Sequence, residues 1–311
     1  MSKLIVMVGI QGSGKSTIAK ELAKEYGQDW EHTGGPYSDW GGCAMTHIDA
    51  PIVSSDEIRK EFPNFGNEKV FKELYSRVNK LLEKGANVIM DATNITIKAR
   101  KQIFEMVKVP CEKIAYVINT SYEECVRRVK ERNEDPNQHF VPLDVVEKYW
   151  KSFQCPAKFE GWDEIILHNK IEFNKDFATE IYNQMLKFDQ DNPNHTYTLG
   201  HHSGLVFKLV LGNTFDKHLA MGVQLHDVGK LFTKVPNKKD SSYSSYYGHE
   251  NVGGYWKMCN GWSPEEIKYE TYHMHPYQWK TDKAHEKWKK IFGEEMYNNL
   301  LFLNRCDREA H

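Results

Sequence analysis

The sequence predicts an α/β half followed by an all-helical half, and three observations carry that expectation. Short apolar runs alternate with helical stretches over roughly the first 170 residues, the pattern of a parallel sheet with helices on both faces. A glycine-rich loop separates the first apolar run from the first helix. After about residue 170 the strand signal disappears and helical periodicity remains. At 311 residues, 40% of them hydrophobic, the chain has room for two domains with real cores. The expected boundary lies near His168 to Asn174, giving units 1–170 and 171–311.

In order, Leu4 to Val8, Ile52-Val53, Asn87 to Met90, Lys113 to Asn119 and Glu164 to Leu167 read as buried strands. Thr17 to Tyr26, Phe71 to Lys84 and Lys98 to Val107 read as helices between them. The second half reads as helices at Asp176 to Phe188, Ser203 to Leu211, Lys217 to Leu225, Pro264 to His273 and Glu294 to Arg305. Trp30 to Gly42 has no periodicity and reads as a long loop, with Trp30, Tyr37 and Trp40 as candidates to stack on a base.

No apolar run approaches the roughly 20 residues needed to span a bilayer, so no membrane segment is expected. The N-terminus runs straight into the first strand, unlike a signal peptide. Six cysteines (43, 111, 125, 155, 259, 306) without a C-x-x-C pair suit free thiols in a reducing cytoplasm. With a net charge of −2, any nucleic-acid contact must come from a local basic patch.

Gly9-Ile10-Gln11-Gly12-Ser13-Gly14-Lys15-Ser16 matches G-x-x-x-x-G-K-[ST] between a strand and a helix that begins at Thr17. Gly9, Gly12, Ser13 and Gly14 let backbone N–H groups face phosphate oxygens at a helix N-terminus. Lys15 is expected on the β- and γ-phosphates of ATP or another nucleoside triphosphate, and Ser16 on Mg²⁺, with Thr17 beside it. Ser54-Ser55-Asp56-Glu57-Ile58-Arg59 follows a strand. Asp56 is placed to take a proton from a hydroxyl and Arg59 to grip a phosphate, unless Ser55 or Asp56 serves only as a helix cap. Asp91 ends the next strand, in Asp91-Ala92-Thr93-Asn94, where an acid suits Mg²⁺; Thr93 and Asn94 can equally be turn residues. Arg128 and Arg132, four apart, fit a lid that neutralises a transferring phosphoryl group, or a solvated basic face.

Together these motifs resemble a phage-type 5′-hydroxyl polynucleotide kinase over roughly residues 1 to 155, including Val141-Pro142-Leu143-Asp144-Val145-Val146 and Tyr149 to Phe153. The resemblance implies Asp56 as general base, Arg59 on the acceptor's 3′ phosphate and Arg132 on the donor phosphates, with Arg128 its partner. The Trp30 to Gly42 stretch departs from the family pattern.

Eight of the fourteen histidines fall between residues 195 and 275. His226-Asp227 joins an imidazole to a carboxylate, with His195, His201, His202, His249, His273, His275 and Asp307 around it in sequence. Such ligands without cysteine suit Mn²⁺, Fe, Co²⁺, Ni²⁺ or Zn²⁺ in a site that keeps an open position. The order His … His-Asp … His … His … Asp, centred on Leu225 to Lys230, resembles the HD phosphohydrolase superfamily over about 195 to 311. That resemblance implies a first metal on His202, His226, Asp227 and Asp307 and a second completed by His249 and His273. His201 is the alternative to His202, His275 is the alternative to His273, and Lys230 is expected on substrate phosphate. Only four residues follow Asp307, which implies a loosely held ligand.

The two resemblances combine into an expected RNA end-healing enzyme. It would phosphorylate 5′-hydroxyl ends of RNA or DNA and remove 2′,3′-cyclic, 2′- or 3′-phosphates, for a separate RNA ligase to join. The alternatives are a small-molecule or nucleotide kinase fused to a nucleotidase or cyclic-nucleotide phosphodiesterase, and a nucleotide-gated RNA-binding module.

Overall fold

Strand β1 (Lys3–Val8) shows how the sheet is layered. Its residues alternate between two cores, as a period of two requires. Leu4, Val6 and Val8 belong to one buried cluster, with Val88 and Met90 of the neighbouring strand. Ile5 and Met7 belong to another, with Ile89, Ala19, Leu22 and Ala23. Both faces are therefore covered, which is why the strand reads as an unbroken apolar run.

The structure is a computed structural model that describes residues 1–32, 44–192 and 196–310. The first half runs β1, α1 (Lys15–Glu25), β2 (Gln28–His32), β3 (Ala44–Ile48), β4 (Ile52–Ser54), α2 (Ser55–Glu61), α3 (Asn67–Glu83), β5 (Val88–Asp91), α4 (Ile97–Met106), β6 (Glu112–Val117), α5 (Tyr122–Asn133), α6 (Leu143–Trp150) and β7 (Glu164–Leu167). The second runs α7 (Lys175–Leu186), α8 (Leu199–Leu211), α9 (Lys217–Val223), α10 (Lys230–Thr233), β8 (Val235–Pro236), β9 (Ser244–Ser245), α11 (His249–Met258), α12 (Pro264–Tyr272), α13 (Asp282–Phe292) and α14 (Glu294–Glu309). The main sheet has the order β4-β5-β1-β6-β7, and each neighbouring pair in it is parallel. The fold is the expected α/β half followed by a helical half. Among the described residues no helix is long and apolar enough to cross a membrane.

Two expectations need correction. Trp30, Glu31 and His32 are not loop but the end of β2, which pairs antiparallel with β3. Residues 33–43, with Tyr37 and Trp40, lie outside the described residues. The second half also contains a short hairpin, Val235 against Ser245 and Pro236 against Ser244. Each half has a buried cluster of its own, and a third is shared between them. The largest cluster runs from Leu4 and Val6 through Phe153 to Tyr255 and Trp262.

Candidate active sites

The end of β1 and the start of α1 enclose the phosphate loop. Gly12 and Gly14 take φ +77° and +97°. A Cβ on Gly12 would lie 2.3 Å from the Cys125 carbonyl oxygen, so only glycine lets the loop seat on α5. The loop opens on a cavity of about 580 Å³ lined by Lys15, Ser16, Asp56, Arg59, Asp91 and Arg132, among others. Gly12, Gly14 and Thr17 line it too, whereas Ser13 is buried behind the loop. Gly9 donates its N–H to the Thr93 carbonyl, closing the base of the loop on β5.

Ser16 Oγ donates to Asp91 Oδ2 at 2.8 Å, bringing together the two residues expected at Mg²⁺. Burial pushes the Asp91 carboxyl up, against the Ser16 hydrogen bond and the Lys15 charge. Lys15 donates to the Ile10 carbonyl at 2.8 Å, and burial pulls its ammonium pKa down. A half-buried cation beside a buried carboxylate is a site that polyanion and metal would jointly satisfy.

On α2 the helix cap is Ser54, whose Oγ accepts from the Asp56 N–H at 3.2 Å. Neither Ser55 nor Asp56 is therefore the cap. Asp56 is exposed and ion-paired with Arg59 at 2.9 Å, and Arg59 also donates to Asn67 Oδ1 at 3.2 Å. The two lid arginines differ. Arg132 Nε and Nη2 are buried with no hydrogen-bond partner among the described residues, beside the cavity. Arg128 is occupied by Glu124 at 2.7 Å and the Ser13 carbonyl at 3.3 Å. Hydrogen bonds from Arg127 and Arg128 hold the Glu124 carboxyl at about 2. Asn94 is a turn residue with φ 48°, its amide on the Met7 carbonyl at 2.9 Å. Sequence reasoning missed Phe71 and Phe140, both on the cavity wall; Phe140 is 63% exposed.

In the second half, five separate segments converge. His202 comes from α8, His226 and Asp227 from the turn before α10, His249 from the start of α11, His273 from the end of α12 and Asp307 from α14. Asp307 Oδ1 lies 3.0 Å from His202 Nε2 and 3.3 Å from His226 Nε2. Asp227 Oδ1 lies 2.9 Å from His249 Nε2 and 3.2 Å from His273 Nε2. Two sets have donor atoms within 4.8 Å of one another: His202, His226 and Asp227, and Asp227, His249 and His273. Asp227 is common to both.

The buried atoms test whether a cation fits. His226 Nε2, His249 Nε2, His273 Nε2 and Asp227 Oδ1 are buried without a hydrogen-bond partner among the described residues. On His202, His249 and His273 the opposite ring nitrogen is engaged, whereas His226 Nδ1 is also buried without a partner among the described residues. His202 Nδ1 meets the Ala310 carbonyl at 3.1 Å, His249 Nδ1 the Tyr246 carbonyl at 2.8 Å and His273 Nδ1 the Glu270 carbonyl at 2.6 Å. A proton on each Nδ1 leaves Nε2 a lone pair aimed inward, the usual support of a metal-binding histidine. The cluster draws positive charge. Burial opposes protonation of His273, yet the neighbouring Asp227 carboxylate outweighs it and holds the imidazole up to about 9, so that without a cation this ring carries the positive charge that a metal would bring. The donor set fits divalent transition metals.

Asp227 takes φ +69° and Leu225 φ +54°, a strained turn that delivers the carboxylate into the cluster. Asp307 is not loose: it sits on α14, and Tyr277 donates to its Oδ2 at 2.7 Å. Tyr277 carried no signal in the sequence, because its role depends on a contact 30 residues away. Lys230 is buried against Asp227 Oδ2 at 2.7 Å and Gln190 Oε1 at 3.0 Å, beside a cleft of about 380 Å³. His201 pairs with Thr198, and His275 packs edge-on to Trp288 and Phe292; neither joins the cluster. His195 lies outside the described residues.

Comparisons with known proteins bear on the first half. A family described as an AAA domain matches residues 4–156. A chain of the Pnkp1/Rnl/Hen1 RNA repair complex is similar at 26% identity, over 48% of this chain and 42% of that one, with a TM-score of 0.35. This chain thus spans less than half the length of that relative. A putative kinase from Chloroflexus aurantiacus is 15% identical over 59% of this chain and 97% of its own, with a TM-score of 0.40. A shikimate kinase from Acinetobacter baumannii is 19% identical over 60% and 94%, with a TM-score of 0.31.

Proposed function

We propose that the chain is a bifunctional nucleic-acid end-healing enzyme, a 5′-hydroxyl kinase over residues 1–170 and a metal-dependent phosphohydrolase over 171–311. The observation that carries the reading is the pairing of two phosphate-directed sites in one chain: a phosphate loop with an acid on its rim, and six inward-facing metal donors.

In the first site, Lys15 and the buried Arg132 guanidinium bind the donor phosphates of ATP. Ser16 and Asp91 would hold Mg²⁺, which would supply charge neutralisation there. Arg59 leaves Asp56 for the phosphate of the acceptor, freeing the carboxylate. Asp56 then accepts the proton of the 5′-hydroxyl as its oxygen bonds to the γ-phosphorus and ADP departs. In the second site, a divalent ion such as Mn²⁺, Ni²⁺, Co²⁺, Fe²⁺ or Zn²⁺ would supply an activated water. His202, His226, Asp227 and Asp307 hold one position, and His249 and His273 with Asp227 the other. Lys230 pairs with Asp227 and stands at the cleft where a phosphate oxygen would bind. Opening of a 2′,3′-cyclic phosphate and loss of the remaining monoester would leave the end a separate RNA ligase requires.

One gel tests the reading. An oligoribonucleotide with a 5′-hydroxyl and a 2′,3′-cyclic phosphate is incubated with ATP, Mg²⁺ and Mn²⁺, Ni²⁺ or Co²⁺. Asp56→Ala is expected to lose 5′ phosphorylation and retain 3′ processing, and Asp227→Ala the reverse. Phosphate transfer to a free nucleoside but not to the oligonucleotide would replace the polynucleotide reading with a small-molecule kinase.

A further inference from the structure

The β8–β9 hairpin has no part in the metal shell, yet both its ends are fixed to that shell. It leaves α10, which begins three residues after Asp227, and returns through Tyr246, Tyr247 and Gly248 into His249. Gly248 makes the turn with φ +77°, and a Cβ there would lie 2.8 Å from the Lys151 carbonyl oxygen. Ser244, Ser245, Tyr246 and Tyr247 form one wall of the metal cleft; Tyr277 and Met274 line it as well. Tyr246 is buried, its ring beneath the Lys230 ammonium at 5.7 Å. Tyr247 is different: it lines the same cleft but is 57% exposed.

The tip of the hairpin is basic and ordered. Lys238 and Lys239 are exposed. Asn237 Oδ1 accepts from the Lys239 and Asp240 N–H groups at 2.8 and 3.3 Å, and Asn237 N–H donates to the Tyr243 carbonyl at 2.8 Å. The one acid at the tip, Asp240, is turned onto its own loop, accepting from the Ser242 N–H at 3.0 Å and from its hydroxyl. Tyr243 adds a second ring, 41% exposed. Exposed lysines beside exposed aromatic rings, on a rigid arm at a phosphate-ester cleft, match the chemistry of a single-stranded polynucleotide: ammonium on backbone phosphate, ring on base.

We infer that the 235–247 hairpin is the acceptor arm for the 3′ end of a single strand. Tyr247 stacks on the terminal base, and Lys238 and Lys239 hold phosphates upstream. The arm makes the second site selective for polynucleotide ends over small phosphate esters. This rests on the metal-site reading above, and the test separates the two.

Two substrates are compared in the full chain with Mn²⁺: an oligoribonucleotide ending in a 2′,3′-cyclic phosphate, and bis(p-nitrophenyl) phosphate. In Tyr247→Ala the ratio of the two kcat/KM values is expected to fall about tenfold or more. Lys238→Glu with Lys239→Glu is expected to lower the same ratio, with the deficit shrinking at high salt. An unchanged ratio, or equal losses on both substrates, overturns the arm. If the wild type turns over neither substrate, the hydrolase reading fails and a second measurement decides the arm. A 3′-phosphorylated oligonucleotide with terminal 4-thiouridine is photo-crosslinked and the peptide mapped. Attachment within 238–247 sustains the proposal, and attachment elsewhere or nowhere overturns it.

Discussion

Arg128 and Arg132 stand one turn apart on α5, but one is already spent. Arg128 braces the phosphate loop through the Ser13 carbonyl and Glu124. Arg132 keeps two buried nitrogens without a partner among the described residues, at the cavity that would take phosphate. A buried guanidinium in that state is costly until an anion arrives. Arg132→Ala is therefore expected to lower kinase kcat/KM about 10²- to 10³-fold, and Arg128→Ala about tenfold or less. Transfer of labelled phosphate to a 5′-hydroxyl end measures both, and equal losses would refute the distinction. Cys125, behind the same loop, gives a pH prediction. Burial pushes its thiol up to about 11. Its thiolate fraction at pH 8 is then on the order of 10⁻³ and grows about tenfold per pH unit until that value is reached. Iodoacetamide mapping at pH 8 should leave Cys125 in the native protein unmodified, while the unfolded chain reacts; rapid native labelling would contradict its burial.

Among the elements, the short turn around Val228-Gly229-Lys230 explains why a glycine follows the His-Asp pair so closely. A Cβ on Gly229 would lie 2.0 Å from the His249 carbonyl oxygen and 2.6 Å from the Gly253 nitrogen. Asp227 Oδ1 and His249 Nε2 come within 2.9 Å, as a shared metal would require, because α10 begins in contact with α11. Gly229→Ala is expected to displace α11, release bound metal and lower stability by about 1–3 kcal/mol, the range for overpacking. Metal analysis of the purified variant by mass spectrometry checks it; wild-type metal content would show that the close approach is dispensable. The glycines of α11 also mark a limit of sequence reading. Gly253 and Gly254 depress helix propensity by about 1 kcal/mol each, so no helix is predicted there. Yet Gly253 faces Glu270 and Gly254 faces Thr271, and the packing against α12 prevails. The central strands were legible because burial on both faces writes a continuous apolar run, most fully in β1 and β5; the edge strands β4 and β7 are only partly buried and were legible from short apolar runs. The β2–β3 pair and the two-residue strands of the 235–245 hairpin carry no such run. All six metal candidates were legible as residue types, and their convergence depended on packing. His201 and His202 are adjacent on one helix, and only the position of α14 decides which of them meets Asp307.

For the whole molecule, the shared core makes the two chemistries mechanically dependent. Tyr255 of α11 is buried at the junction, its ring edge-on to Phe153 at 4.9 Å. Its hydroxyl donates to the Thr120 carbonyl at 2.6 Å, and Thr120 Oγ1 donates to the Ser13 carbonyl of the phosphate loop at 2.9 Å. Two residues after the start of the same helix, the Asn251 side-chain amide donates to the Lys151 carbonyl at 3.0 Å. A second bridge is aromatic: Tyr122 stacks on Trp150 at 3.9 Å, and Trp150 meets Phe232 of α10 at 6.5 Å. Helix α11 thus carries His249, of the proposed metal site, at one end and supports the phosphate loop from its middle. Halves joined in this way should unfold together, because exposing either uncovers apolar surface of the other. Tyr255→Ala removes a large buried ring and is expected to cost about 3–5 kcal/mol. Thermal inactivation of the kinase and of the hydrolase should then shift downward together, by several degrees, alongside the tryptophan fluorescence midpoint. If the kinase midpoint stays at the wild-type value while the hydrolase midpoint falls, the halves are energetically separate and the junction is only a contact.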